Sequence, residues 1–395
     1  MPPLCLTLHL HQPAHLKHYS FFDIGNSSTY EDESKTAEAV NHFASDCVLP
    51  ATRIVLKKLK EYGGDFRIAF SISGCLIDQF ERYRPEALDT FKALSGTGHV
   101  EFLAAPYYHS LASAFSIQEF REQTLLHHSR ILALTGTAPT AFRNTALIYR
   151  DDLACEVETL GYQVMLTPDS DRFPGKRNDY GVYRPAHDST LKLLVNHGRL
   201  SDDITRRVTH SDSLETSQTS PGFAHGLHQA HPARGHITSL SLDLGALARQ
   251  NPDYSGLFLF LNQLPEIVLQ HKEGPFITPT QAASPRSASS LSSKDFLSGE
   301  NSAHDLSPWK GNEMQQDALN ALYLLEPRVK GSHDQALLRT WRLLQASDYF
   351  LSMNTLSESF PGSDRLTLLR DSPYDAYINY MNILTDFSER IPNVR

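Results

Sequence analysis

Ala141-Phe142-Arg143-Asn144-Thr145-Ala146-Leu147-Ile148-Tyr149, followed by Arg150-Asp151-Asp152, is the stretch whose reading decides the fold. Phe142 is apolar and Arg143 to Thr145 are polar, the profile of a strand delivering its end into a cleft. Asp151 and Asp152 then place negative charge near a helix start, where orphan backbone N–H groups favour it. Leu153, Val157 and Leu160 give that helix an apolar stripe, and Gly161 ends it. A polar cluster at a strand's end is where a barrel or an open sheet keeps its chemistry. The centre of this one is Ala146, a methyl group, and no nucleophile stands there.

The same grammar repeats outward. Leu4 to Leu10 alternates as a first strand and stops at His11-Gln12-Pro13, because Pro13 bars helix at Gln12 and forces a turn. A polar loop from His15 to Glu38 leads to a helix from Cys47 to Tyr62, stopped by Gly63-Gly64. Phe66 to Ile72 is a second strand, 77–94 a helix, Val100 to Ala104 a third strand and 117–134 a helix. Beyond the opening stretch, 164–167 and 191–195 read as strands, and His236 to Leu242 returns as one ending at Asp243. A helix over 256–271 and a short strand at Phe276-Ile277 complete the series. Alternation at intervals of roughly 30 residues is the βα spacing of a parallel sheet or barrel.

The totals agree with that. A chain of 395 residues can hold one large catalytic-type unit and a smaller one. A content of 40% apolar and 21% charged residues is globular, and a net charge of -9 argues against a nucleic-acid or anionic-membrane partner. No apolar run approaches the ~20 residues that span a bilayer, and the N-terminal run is too short and too alternating for a signal peptide. Cys5, Cys47, Cys75 and Cys155 form no Cys-x-x-Cys pair and read as free thiols of a reducing compartment, so the expected location is cytoplasmic. The oligomeric state is not legible.

Two segments break the rhythm. Residues 209–235 are rich in Ser, Thr, His, Pro and Gly and read as a disordered insert. Residues 284–304 are dominated by Ser and read as a linker. Beyond them 312–325, 332–354 and 374–389 show helical periodicity alone. The expected organisation is a barrel over 1–283, the linker, and a helical unit over 305–395.

His9-x-His11 ends the first strand with both imidazoles on one face, a spacing able to bind one metal. Later strand ends supply no second His pair, so no metal or other cofactor is expected. There is no Gly-x-Ser-x-Gly elbow, Gly-x-Gly-x-x-Gly turn or phosphate-binding loop. Carboxylates say more. Glu101 and Asp243 lie on strands, where an acid is costly unless it faces a polar cleft or has a partner. With Tyr107, Tyr108, His109, Arg143 and Tyr149 they suit a cleft for sugars; from residue type alone, ordinary strand-end polar residues fit as well.

On these residues the chain resembles glycoside hydrolase family 57, and within it the α-amylase group. His11-Gln12-Pro13 matches the first motif and Gly98-His99-Val100-Glu101 the second. Phe142 to Tyr149 matches the third, which in that group reads Phe-Arg-Asn-Thr-Glu-Leu-Ile-Tyr. The helical unit matches through Gly311-Asn312-Glu313-Met314-Gln315, Ala346-Ser347-Asp348 and Asp371-Ser372-Pro373-Tyr374-Asp375-Ala376-Tyr377. The resemblance implies an α/β fold, an incomplete (β/α)7 barrel followed by an all-α C-terminal domain, acting on α-glucan with retention of configuration. It places the nucleophile at position 146, which is Ala here, and the acid/base at Asp243, whose neighbours Leu244-Gly245 depart from the pattern. The Asp-His of the fifth motif is Asp348-Tyr349.

A methyl group cannot form a glycosyl-enzyme intermediate. The resemblance therefore leads to an α-amylase-like protein that binds α-glucan or maltooligosaccharide through His11, Glu101, His109, Arg143, Tyr149 and Asp348, with retaining hydrolysis lost or strongly reduced. One alternative is an active α-glucan hydrolase or 4-α-glucanotransferase with a non-standard arrangement around Asp243, for which Glu101 is the second carboxylate at hand. Another is a metal-dependent barrel hydrolase or deacetylase using His9 and His11.

Overall fold

Strand β1 (Leu4–Leu10) is buried along its whole length, and its two faces differ. Leu4, Leu6, Leu8 and Leu10 pack outward into an apolar cluster with Val40, Phe43, Leu59 and Val268 of surrounding helices. Cys5 belongs instead to an inner cluster with Ala69, Ala141, Val164 and Leu194. Period-2 alternation then turns Thr7 and His9 inward as well. A strand with a leucine face outward and a polar face inward is the wall of a barrel covered by helices.

A computed structural model of the chain describes residues 3–26, 28–173, 181–187, 189–209, 237–250, 253–270, 274–283, 289–301, 303–355 and 372–392. In it β1 lies between β2 (Ile68–Ile72) and β8 (Thr238–Asp243), both parallel to it, and β3 (Val100–Phe102) adds to β2. A second sheet carries β4 (Ala141–Arg143), β5 (Val164–Thr167) and β7 (Lys192–Val195) in parallel order. A bridge between Ala104 and Phe142 joins the sheets on one side, and one between Asn196 and Ser239 joins them on the other. The ring is the (β/α)7 barrel that the resemblance implied. Between β7 and β8 the join is that Asn196–Ser239 bridge, and β6 (Val182–Pro185) runs antiparallel along β7.

Several boundaries differ from the sequence reading. Helix begins at Glu33, capped by the Asp32 side chain on Lys35 N, and continues through a wide turn at Phe43–Val48 into Leu49–Tyr62. The expected loop over 15–38 hid its first turns, because only Thr36 and Val40 of Glu33–His42 are buried. Pro85 breaks the helix expected over 77–94 into Gly74–Tyr83 and Pro85–Ser95. Phe276 makes a single bridge to Leu4 rather than a strand. Strand β6 and helix Gly198–Thr209 were not foreseen. Apart from Thr209, the expected insert over 209–235 lies outside the described residues.

The Ser-rich segment is no loose linker over its described part. Strand β9 (Ser290–Leu291) pairs with β6, and Leu291 and Leu297 are buried. Its serines are occupied: Ser292 Oγ donates to Asp151 Oδ2 at 2.6 Å and Ser293 N to Asp151 Oδ1 at 2.8 Å. A polar composition failed to signal order because the order comes from hydrogen bonds to another element.

After residue 305 the chain is helical, with Glu313–Leu324, Gln335–Leu343 and Pro373–Arg390 as the longer segments. The helix expected over 332–354 divides, and Ser347–Leu351 stands apart. Trp309, Trp341, Phe350, Tyr380 and Phe387 form one apolar cluster with Leu16, Tyr19 and Tyr30 from the loop after β1. The helical unit is thereby packed on the C-terminal ends of the barrel strands. Among the described residues no helix is long and apolar enough to cross a membrane.

Candidate active site

The site begins where β1 ends. His9 stands opposite Asp243 in the β1–β8 register, and its Nδ1 shares a hydrogen bond of 3.2 Å with Ser71 Oγ on β2. Its Nε2 is buried without a partner among the described residues. Two residues on, His11 Nδ1 meets Ser73 Oγ at 2.8 Å, and Nε2 lies 2.9 Å from Asp348 Oδ2. His109, in the left-handed region at φ 52°, stacks on His11 with ring centroids 4.1 Å apart and on His9 at 5.2 Å. Ser347 holds it, through N to His109 O at 3.1 Å and Oγ to Nδ1 at 3.0 Å. Three imidazoles, one from β1, one just beyond its end and one from the loop after β3, thus stack beside a carboxylate supplied by the helical unit.

The charges divide unequally over that stack. Burial depresses the His11 imidazolium, yet the adjoining Asp348 carboxylate outweighs it and holds the group up at about 10. Burial alone would raise the Asp348 carboxyl; the His11 cation instead keeps it well below the usual range. Burial, then repulsion from His11, pushes His109 down to about 4. His9 is also pushed down, by burial and by the Arg143 guanidinium. The arrangement is one charged imidazole paired to one carboxylate, with two neutral imidazoles beside it.

Arg143, the last residue of β4, is buried, and burial lowers it to about 10 against the attraction of Asp243 and Glu300. Its Nε has no hydrogen-bond partner among the described residues. Asp243 ends β8 and accepts from Ala246 N at 2.9 Å, starting the helix Leu244–Gln250. The turn after Arg143 is rigidly held. Asn144 accepts from Thr145 N and donates to Ser113 Oγ at 3.1 Å and Ile148 O at 2.9 Å, and Thr145 Oγ1 donates to Ser110 O at 2.8 Å. Ala146 at φ 48° and Leu147 at φ 57° are both left-handed, a backbone strain of about 1–3 kcal/mol each. The Ala146 methyl is packed into the cluster shared with Leu16, Leu111 and Trp309.

Of the residues expected to line the cleft, His11, His109 and Asp348 are in direct contact, and Arg143 and Asp243 lie close enough to act on one another or on the stack. Glu101 and Tyr149 do not join them. The Glu101 carboxylate, level with Thr7 and Ala69, is bound by Thr280 N at 3.0 Å and by Thr280 Oγ1. Tyr149 is fully buried against Phe173, and its hydroxyl donates to Asp151 Oδ1 at 3.1 Å. Both were named for being polar near strand ends, which does not say which way a side chain turns.

His9 and His11, the pair of the metal-dependent alternative, each stack on His109. The atoms close enough to share an ion, within 4.8 Å of one another, belong to His11, His109 and Asp348. His11 and Asp348 form a buried ion pair there, with His109 Nδ1 at 3.7 Å from the same carboxylate oxygen. Ser73 and Glu300 escaped the sequence reading, and Ser347 appeared there only within a matching string; a lone Ser carries little signal, and Glu300 lies in the supposed linker.

Residues 5–297 match the family model described as Glycosyl hydrolase family 57. A Methanocaldococcus jannaschii protein described as "Putative alpha-amylase" is 28% identical over 394 residues, covering 96% of this chain and 82% of that protein. Among solved structures, a branching enzyme from Pyrococcus horikoshii superposes with a TM-score of 0.68 at 14% identity, covering 100% of this chain and 98% of its own. A branching enzyme from Thermococcus kodakaraensis, in complex with glucose and additives, gives 0.62 at 14% identity over 90% and 86% of the two chains. A 4-alpha-glucanotransferase from Thermococcus litoralis gives 0.58 at 12% identity over 88% of this chain, which spans 54% of that one. These likenesses are of fold.

Proposed function

Because the chain belongs to glycosyl hydrolase family 57, we propose that its cleft binds α-glucan and that the retaining displacement centred on residue 146 is lost. The observation that carries this is the His11–His109–Asp348 cluster, whose carboxylate comes from the helical unit. A charged imidazole, a carboxylate and a guanidinium within one cleft offer donors and acceptors to sugar hydroxyls, where charge-assisted hydrogen bonds count for about twice a neutral one. Ala146 supports the second half of the reading, since an alkyl group cannot attack an anomeric carbon. The relatives named as an amylase, as branching enzymes and as a glucanotransferase support the substrate class.

Calorimetric titration with maltoheptaose tests it. Binding is expected for the native chain and is expected to fall at least tenfold in Asp348→Asn. Titrations with no heat at millimolar sugar would sink the proposal. Titration with zinc under the same conditions separates this reading from the metal-dependent one.

A further inference from the structure

The cluster at the end of β1 touches a nucleophile that the glucan reading leaves unused. Cys75 Sγ lies 3.7 Å from His11 Nδ1 and 3.4 Å from Ser73 Oγ, and the same imidazole holds the Asp348 carboxylate at its other nitrogen. Thiol, imidazole and carboxylate therefore stand in series, the order of a nucleophile, its proton-handling partner and the group that orients that partner. They come from three separate places: the first turn of the helix after β2, the segment just beyond β1, and the helical unit.

Reactive thiols have a cation and a helix N-terminus at hand, and Cys75 has both. It is the second residue of the helix Gly74–Tyr83, directly after the N-cap Ser73 and Gly74. His11 supplies the cation: burial opposes its charge, and Asp348 and then Cys75 support it. The other thiols lack this setting. Burial, then Glu101, pushes Cys5 far up, and burial pushes Cys47 up to about 12. Cys155 is exposed and lies 3.4 Å from His187 Nε2, but burial and the Glu158 carboxylate raise it. All four are free, and Cys5, Cys47 and Cys75 pack in three separate clusters. Space around Cys75 selects the reagent. The residue is 9% exposed, it packs with Tyr107 and Tyr108, and a Cβ on the preceding Gly74 would meet the Tyr107 ring at 2.4 Å. A small oxidant such as a peroxide fits there and a bulky disulfide does not.

We propose that Cys75 is a peroxide-sensitive modification site, and that its oxidation to the sulfenic acid closes the cleft to sugar. Reacting as the thiolate, the sulfur attacks one oxygen of hydrogen peroxide. The O–O bond breaks, and the leaving hydroxide takes the Nδ1 proton of His11 and departs as water. Sulfur is oxidised by two electrons, the peroxide is reduced by two, and His11 recovers its proton from solvent. The oxygen gained must be fitted among His11 Nδ1, Ser73 Oγ and two tyrosines, which turns the His11 ring away from Asp348. A thiol reductant reverses the step. The effect on sugar rests on the reading that α-glucan occupies the cleft.

The test exposes the full chain to hydrogen peroxide, stops the reaction with catalase at intervals, and adds dimedone together with denaturant so that the trap need not enter the site. Peptide mass spectrometry is expected to find the dimedone adduct forming on Cys75 at least tenfold faster than on Cys155, although Cys155 is the exposed thiol. Calorimetry with maltoheptaose is expected to show at least a tenfold rise in Kd after peroxide, reversed by dithiothreitol. In Cys75→Ser, peroxide is expected to leave that variant's own Kd where it was. Cys155 reacting first, or Cys75 staying reduced, overturns the inference. Oxidation of Cys75 with an unchanged Kd overturns its control of the cleft. Absence of maltoheptaose binding by the untreated chain overturns the glucan reading instead, and the adduct rates still decide whether Cys75 is the reactive thiol.

Discussion

Asp348 Oδ2 stands 2.9 Å from His11 Nε2, across a separation of 337 residues, and this contact fastens the helical unit to the end of the first barrel strand. Both side chains are buried, at 3% and 5% exposure, so the pair is neither screened nor replaced by water. Breaking a buried pair from one side costs about 3–5 kcal/mol, because the remaining group is left unpaired in a dry site. Asp348→Asn is therefore expected to lower the unfolding free energy by about that amount in urea titrations, alongside its loss of maltoheptaose binding.

The same pair sets a pH dependence. His11, raised from 6.5 to about 10, contributes stability that is complete below pH 6.5 and is lost as pH rises through about 10. Asp348, lowered from 3.8, contributes stability that is present above pH 3.8 and is lost as pH falls through its depressed value. The stability difference between the native chain and Asp348→Asn is expected to be greatest between pH 3.8 and 6.5 and to shrink towards pH 10. A difference that stays flat from pH 5 to 10 would show that the pair is not what the substitution removes.

Ala146→Glu puts a carboxylate back at the turn beside Arg143. The turn is held by Asn144 and Thr145 whatever stands at 146, and the longer side chain must displace part of the apolar cluster into which the methyl packs. Mass spectrometry after incubation with 5-fluoro-α-glucosyl fluoride is expected to find a covalent glucosyl adduct on the variant and none on the native chain. An unlabelled variant would mean that the cleft no longer presents the anomeric carbon to this position.

Glu119 lies on the helix Ile117–Thr135, wholly buried, where Arg342 Nε donates to it at 2.7 Å and Lys330 Nζ pairs with it at 3.0 Å. Both cations come from the helical unit. Glu119→Ala removes their shared buried partner while Lys330 keeps Glu122 and Glu326 and Arg342 keeps Glu122, and a loss of about 1–3 kcal/mol is expected in urea unfolding. Limited proteolysis should then cut first within the helical unit.

Gly74 opens the helix that follows β2, and a Cβ there would lie 2.4 Å from the Tyr107 ring. Tyr107 cannot retreat without breaking its 2.8 Å hydrogen bond to Asp78. Gly74→Ala is expected to destabilise by about 1–3 kcal/mol, to change the near-ultraviolet circular dichroism of the tyrosines, and to weaken glucan binding through Ser73 and His11. Native stability in this variant would show that the ring has room to move.

Much of the barrel was legible because its signal is local. The leucine alternation of β1, the polar end of β4 and the glycine stop after the helix that follows it each lie within a few residues, and period 2 or 3.6 reads them directly. Glu33–His42 was hidden, since a helix with two buried residues carries little periodicity. Strands β6 and β9 were hidden for another reason: each is short and owes its place to a partner far along the chain.

The sequence by itself determined the family, the strand-and-helix order and the methyl at position 146, all of which reside in residue identity and near-neighbour spacing. Only the tertiary structure decided which polar groups meet. It brought Asp348 to His11, turned Glu101 towards Thr280 and Tyr149 into the core, and laid the serine-rich segment along residues 146–149 with Glu300 at its end. A carboxylate's role depends on which charge lies within a few ångströms and on whether water reaches it. Those are properties of packing between segments hundreds of residues apart.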